Sequence, residues 1–144
     1  MNITNPCIET CNKLLRGEIS AIETYGQAIE KFDAHPAADQ LREIRSGHVE
    51  SANVLRDHLE KMGGVPDGDS GVWGSFAKLV EGSATILGES AAVSALIEGE
   101  EHGISEYMEA LRHTGVMAEI KETITGELLP RLEEHVVILE SLPS

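Results

Sequence analysis

Glu18, His48, Glu100 and His135 combine carboxylates with imidazoles, the side-chain types that together hold first-row metal ions or exchange protons. An internal repeat singles them out. Gly17-Glu18 is followed by Tyr25 and Ala28, and Gly99-Glu100 by Tyr107 and Ala110, so each Glu precedes a Tyr by seven residues. His48-Val49 runs on to Leu55 as His135-Val136 runs on to Leu142, again with an offset of seven. Two helical turns span that distance, which puts each Glu and its Tyr on one helix face. Carboxylate oxygen with imidazole nitrogen suits Fe, Zn or Mn better than a soft, thiolate-preferring ion. Buried without a metal, the same groups must satisfy one another by hydrogen bonding or ion pairing. Three readings stay open: a metal site, a metal-free polar cluster, or helices turned so that Glu18 and Glu100 face water. In the first, Tyr25 and Tyr107 are spaced to donate hydrogen bonds to the ligating carboxylates.

Positioning these groups requires long helices, and the apolar spacing predicts four. The first runs from about Ile8 to Phe32, with Leu14, Leu15, Ile19, Ile22, Ala28 and Ile29 on its stripe. Thr4 or Asn5 can cap it ahead of Pro6, and the residue before Pro36 is steered out of helix. The second extends from Pro36 to Met62 on Leu41, Ile44, Val49 or Ala52, Leu55 and Leu59, and Gly63-Gly64 stops it. So short a connection makes the pair antiparallel. Residues 63–74 read as loop by turn chemistry, followed by a short helix around Ser75–Ile86, with Trp73 and Phe76 packing against the outside of the helix pair. The third helix spans Ser90–His113 with Val93, Leu96, Ile97, Ile104, Met108 and Leu111 inward. The fourth runs from Val116 to Leu142, and Pro130 inside it predicts a kink or bulge. At ~1.5 Å per residue, Glu18 and His48 lie at depths that differ by about one turn, as do Glu100 and His135. All four can therefore share one layer near mid-bundle.

The expected fold is thus all-α, one domain over residues 1–144, with two antiparallel helix pairs joined by a long crossover that carries a short helix. The net charge of −14 opposes binding to nucleic acid and to anionic membrane, and it keeps the surface solvated or draws cations. Apolar stretches are broken by Glu, Ser and Gly, so no membrane span is expected, and without a secretory leader the default residence is cytoplasmic. Cys7 and Cys11 have no third cysteine to complete a soft-metal site and read as inert thiols more readily than as a metal or redox pair. His35, His58, His102 and His113 are expected outside the functional layer.

The G-E-x₆-Y-x₂-A segment, the Gly63-Gly64 helix ending, the Ser-Gly-rich loop with Trp73 and the G-E-E-x₅-Y-x₂-A-L segment resemble the ferritin-like superfamily of ferritins, bacterioferritins and rubrerythrins. The resemblance covers about Leu14 to Leu142 and looks closest to an uncharacterised bacterial branch, a domain family named only for its unknown function. It implies a ferritin-like four-helix bundle. In di-iron members, helices one and three each give a Glu, falling here on Glu18 and Glu100, while helices two and four each give an E-x-x-H pair. His48 and His135 fill the histidine slots, but Arg45 and Leu132 stand where the bridging carboxylates would be. Glu23, Glu43, Glu50 and Glu134 are poorly spaced to replace them. Arg45 can instead neutralise a carboxylate, taking by charge the place of a second metal.

The reading that follows is a ferritin-like bundle with a reduced or vestigial Glu/His metal site, in bacterial stress or metal handling. A metal-free bundle that pairs with itself or another protein is the alternative, and a homodimer is the simplest partner. A carboxylate-metal oxidase ranks last for want of the bridging acids. Four protein ligands on one ion leave no open position, which suits a structural more than a catalytic site.

Overall fold

The computed structural model describes residues 5–32, 34–68 and 84–142, with residues 84–89 given by backbone alone. Helix α1, Pro6–Lys31, begins where the Asn5 side chain accepts hydrogen bonds from the backbone N–H groups of Cys7 (2.9 Å) and Ile8 (3.3 Å). Pro6 fills the first helical position, where a missing N–H costs nothing. Helix α2, Ala38–Lys61, ends in a Schellman turn. Gly63 takes φ +77°, its N–H reaches the Glu60 carbonyl, and the Gly64 N–H reaches that of Leu59 at 2.8 Å. Only glycine adopts that left-handed geometry without steric cost, so the Gly63-Gly64 stop has a local cause.

Helix α3, Ala84–Arg112, starts at Ala84 and not at Ser90. The expected short helix around Ser75–Ile86 lies outside the described residues except for 84–86, which belong to α3; Trp73 and Phe76 lie outside them too. The fourth segment comes in three parts: α4 (Ala118–Thr123), a π-helical turn (Ile124–Leu128) and α5 (Leu129–Glu140). Pro130 sits just beyond the π turn, whose last bond runs from the Leu129 N–H to the Ile124 carbonyl. Pro130 has no N–H, and its ring crowds the carbonyl four residues earlier; the widened turn is where the predicted bulge falls. No strand occurs among the described residues, which form an all-α bundle.

Most packing joins α1 to α2 and α3 to α5, while α1 also meets α3. Two apolar clusters form the interior. One gathers Leu14, Leu15, Leu55, Leu59, Ile120 and Leu128, and the other Tyr25, Phe32, Leu41, Ile44, Leu96 and Leu139. On α2, α3 and α5 the border between them falls at the layer's polar residues, between Ile44 and Ala52, Leu96 and Tyr107, and Leu132 and Leu139; on α1 it falls just after Glu18, between Ile19 and Ala21. The bundle is therefore two hydrophobic ends held around one polar layer. Met108 does not point inward but is 45% exposed, because Tyr107 takes the buried position and the next residue turns about 100° away. No described helix is long and apolar enough to cross a membrane.

Candidate metal centre

The polar layer contains Glu18 of α1, His48 of α2, Glu100 of α3 and His135 of α5, all buried. Each comes from a different helix, so the layer exists only when the bundle is assembled. His48 lies at its centre. Its Nδ1 donates to Glu18 Oε1 at 2.6 Å and its Nε2 to Glu100 Oε2 at 2.7 Å. A ring that donates from both nitrogens is an imidazolium, and the carboxylates require it. Burial by itself pushes the His48 pKa down, but the charges of Glu100 and Glu18 and their hydrogen bonds outweigh it and raise the value to about 10. Glu100 is the reciprocal case. Burial pushes its pKa up, yet the His48 charge and the bonds from both histidines bring it to about 2.

The tyrosines cross over between helices. Tyr25 of α1 donates to Glu100 Oε2 of α3, and Tyr107 of α3 donates to Glu18 Oε2 of α1, both at 2.6 Å. Burial first, then the charge of the facing Glu, drives both phenol pKa values well above the ordinary range, so both stay neutral donors. Tyr25 also stacks on the His48 ring at 5.4 Å between centroids. His135 Nδ1 donates to Glu100 Oε1 at 3.2 Å, and its ring lies 4.8 Å from that of His48. Glu100 thus accepts three hydrogen bonds, from Tyr25, His48 and His135. Ligand atoms of His48, Glu100 and His135 all lie within 4.8 Å of one another, a buried group that can hold a metal ion. Glu18 adjoins it through His48.

Other residues fall differently. Arg45 Nε donates to the Ile22 carbonyl at 3.1 Å, so the bond the structure gives it is to backbone and not to a carboxylate of the layer. Leu132 is buried in the core, 3.0 Å by its Cδ1 from where a Cβ on Gly103 would stand. Glu23, Glu43, Glu50 and Glu134 are exposed. His102 and His113 are exposed, His35 half-buried, and His58 shares a 3.2 Å contact with Thr123 Oγ1. Cys7 and Cys11 are buried free thiols, and burial, helped by Cys7, pushes Cys11 up to about 12.

Two supports were not foreseen. A Cβ on Gly47 would come within 2.6 Å of His135 Nε2, so the bare backbone before His48 is what seats the second histidine. Arg131, one helical turn before His135, donates to Ser51 Oγ at 2.7 Å and to Glu127 at 2.9 Å, tying α5 to α2 beside the layer. Its spacing of four from His135 was a usable signal; Gly47 gave none, because its role depends on a contact across helices.

An all-α bundle with a buried Glu/His layer is the class of molecule these features define. By sequence the chain belongs to the family described as Domain of unknown function (DUF2383), matched over residues 7–113. The matched stretch contains Glu18, His48 and Glu100 and stops before His135. Among curated proteins none matches the chain.

Proposed function

We propose that the chain is a ferritin-like four-helix bundle whose Glu18, His48, Glu100 and His135 hold a single divalent ion, Fe, Mn or Zn, and that it serves metal handling or stress defence. The observation that carries this reading is the convergence of His48, Glu100 and His135 donors within 4.8 Å in a buried layer. The donor set fits: two imidazoles and carboxylate oxygen match these ions by hardness. The charges fit as well. His48 as imidazolium puts one positive charge between two carboxylates, and a divalent ion there would take the place of one His48 proton, leaving a neutral imidazole and balancing both carboxylates. Tyr25 and Tyr107 hold the carboxylates in place from outside. Oxidase chemistry at a paired centre is the weaker assignment, because Arg45 and Leu132 supply no bridging oxygen.

A second reading has its own support. Both ring nitrogens of His48 are bonded, and no buried side-chain N or O of the described residues lacks a partner. Such a layer is self-sufficient, as in a metal-free bundle that associates with another copy or another protein.

Metal analysis of protein purified without chelator, and after reconstitution with Fe, Mn and Zn separately, decides between them. The expected result is about one ion per chain, absent from His48→Ala and Glu100→Ala. About two ions per chain would overturn the mononuclear assignment. None under any condition would leave the metal-free reading standing.

A further inference from the structure

The polar layer is not sealed on every side. A cavity of about 330 Å³ has Glu18, His48 and Glu100 on its walls at the buried end. At the other end stand Lys13, Arg16 and His102, whose side chains are 51%, 50% and 73% exposed. Between them lies Glu106 of α3, with a side chain only 17% exposed. Its Oε1 occupies space left by Gly17 of α1, 3.2 Å from where a Cβ there would sit. Surface, half-buried carboxylate and buried carboxylates therefore line one continuous space.

The charges say what such a space admits. Arg16 is engaged by Asp67 at 2.5 Å. Lys13 stands 4.0 Å from Glu106, and His102 stands 3.9 Å from it, both loose pairs. Set against Lys13 and the His48 imidazolium, the three glutamates on the walls still leave a surplus of negative charge, and the net charge of −14 on the chain works in the same direction. An anion would meet Glu106, Glu18 and Glu100 in turn. A divalent cation leaving water needs oxygen donors to replace its hydration shell before it reaches the layer, and Glu106 is placed to give the first.

We propose that this cavity is the route by which a divalent cation reaches and leaves the buried layer, with Glu106 taking the ion first and Lys13 as the resident cation that it displaces. The inference rests on the metal reading above. A route alters the barrier in both directions and leaves the end states alone, so its residues change uptake and release together while affinity stays constant. That signature separates it from a structural effect on the site.

The test follows uptake and release of Zn(II) by the full chain in stopped flow against a chromogenic chelator. Zn(II) is a suitable probe because a nitrogen and oxygen site that takes Fe(II) or Mn(II) binds Zn(II) at least as tightly. Gly17→Leu fills the cavity and is expected to slow both uptake and release by about tenfold or more at unchanged stoichiometry. Glu106→Gln is expected to slow both by about threefold, and Lys13→Ala to speed both by a similar factor. The last two carry only loose pairs and decide the matter if Gly17→Leu fails to fold. Wild-type rates in Glu106→Gln and Lys13→Ala, or rates shifted in the same direction, would overturn the route while leaving the metal site intact. Absence of equilibrium Zn(II) binding to the wild type would remove the metal reading, and the route with it.

Discussion

The two halves of the molecule repeat a Glu, a Tyr and a His, yet their histidines end in different surroundings. His48, on the uninterrupted α2, lies between both carboxylates and donates to each. His135, on a helix broken by the π turn at Ile124–Leu128, reaches Glu100 and rests over Gly47. The carboxylates differ in parallel: Glu100 accepts from three side chains, Glu18 from two. A repeat sets residue types and heights along the axis. Which way a side chain points also depends on the phase of its helix, and one extra residue in a turn shifts that phase by about 100°. The first half supplies the charge at the centre of the layer, and the second supplies the carboxylate that collects most of the bonds.

Removing each carboxylate in turn is the strongest way to break that comparison. Glu100→Ala leaves Tyr25, one nitrogen of His48 and His135 without their acceptor, and it weakens the pairing of a buried positive charge. The expected cost is about 3–5 kcal/mol, the range for breaking one side of a buried ion pair. Glu18→Ala leaves His48 its bond to Glu100 and orphans one imidazole N–H and the Tyr107 hydroxyl, for about 1–3 kcal/mol. Urea unfolding of both variants, in metal-free buffer, gives the two values. Equal losses would mean that the halves are energetically equivalent and that the asymmetry of bonding has no consequence.

pH probes the same asymmetry through His48. Its folded pKa of about 10 lies above the ordinary 6.5, so its contribution to stability is complete below 6.5 and is lost as pH rises through about 10. Glu100 has the opposite sign. Its folded value of about 2 lies below 4.5, so its contribution is complete above 4.5 and is lost as pH falls through about 2. The layer is therefore most stabilising between about 4.5 and 6.5. Unfolding midpoints of metal-free protein should decline from pH 6.5 to 10, and His48→Gln should lack that decline. A slope that persists in the variant would place its origin outside the layer.

Much of this was legible in the residues, for identifiable reasons. Helix ends at Asn5-Pro6 and Gly63-Gly64 are local chemistry, so the sequence marks them directly. Pro130 announces a disturbance for the same reason, though not that it takes the form of a π turn. Seven-residue spacing identified Glu18, Tyr25, Glu100 and Tyr107 as residues sharing faces. It could not show that each Tyr bonds the Glu of the other half, since that crossing depends on how α1 and α3 pack. Arg45 looked like the counter-charge because it fills a carboxylate slot, but its head group is drawn to the Ile22 carbonyl. Arg131 lies beside the layer instead, and its partner Ser51 is on a different helix, which spacing along one chain does not reveal.

The subtlest contrast lies one residue before each histidine: Gly47 precedes His48, whereas Glu134 precedes His135. In an ordinary helix, Gly→Ala stabilises by roughly 0.5–1 kcal/mol, because glycine gives up more backbone freedom on folding. Here the added methyl would meet His135 Nε2 at 2.6 Å and Cε1 at 3.0 Å, with Arg131 Cδ at 3.4 Å behind. The His135 ring cannot yield without stretching its bond to Glu100, so overpacking wins and Gly47→Ala should destabilise by about 1–3 kcal/mol. Glu134→Ala, exposed at the matching position, should change stability by less than about 0.5 kcal/mol. Thermal unfolding of both proteins checks the pair. A gain in stability at Gly47→Ala would mean that His135 sits loosely enough to move aside, and a ligand held in so loose a position would weigh against His135 as part of a metal site.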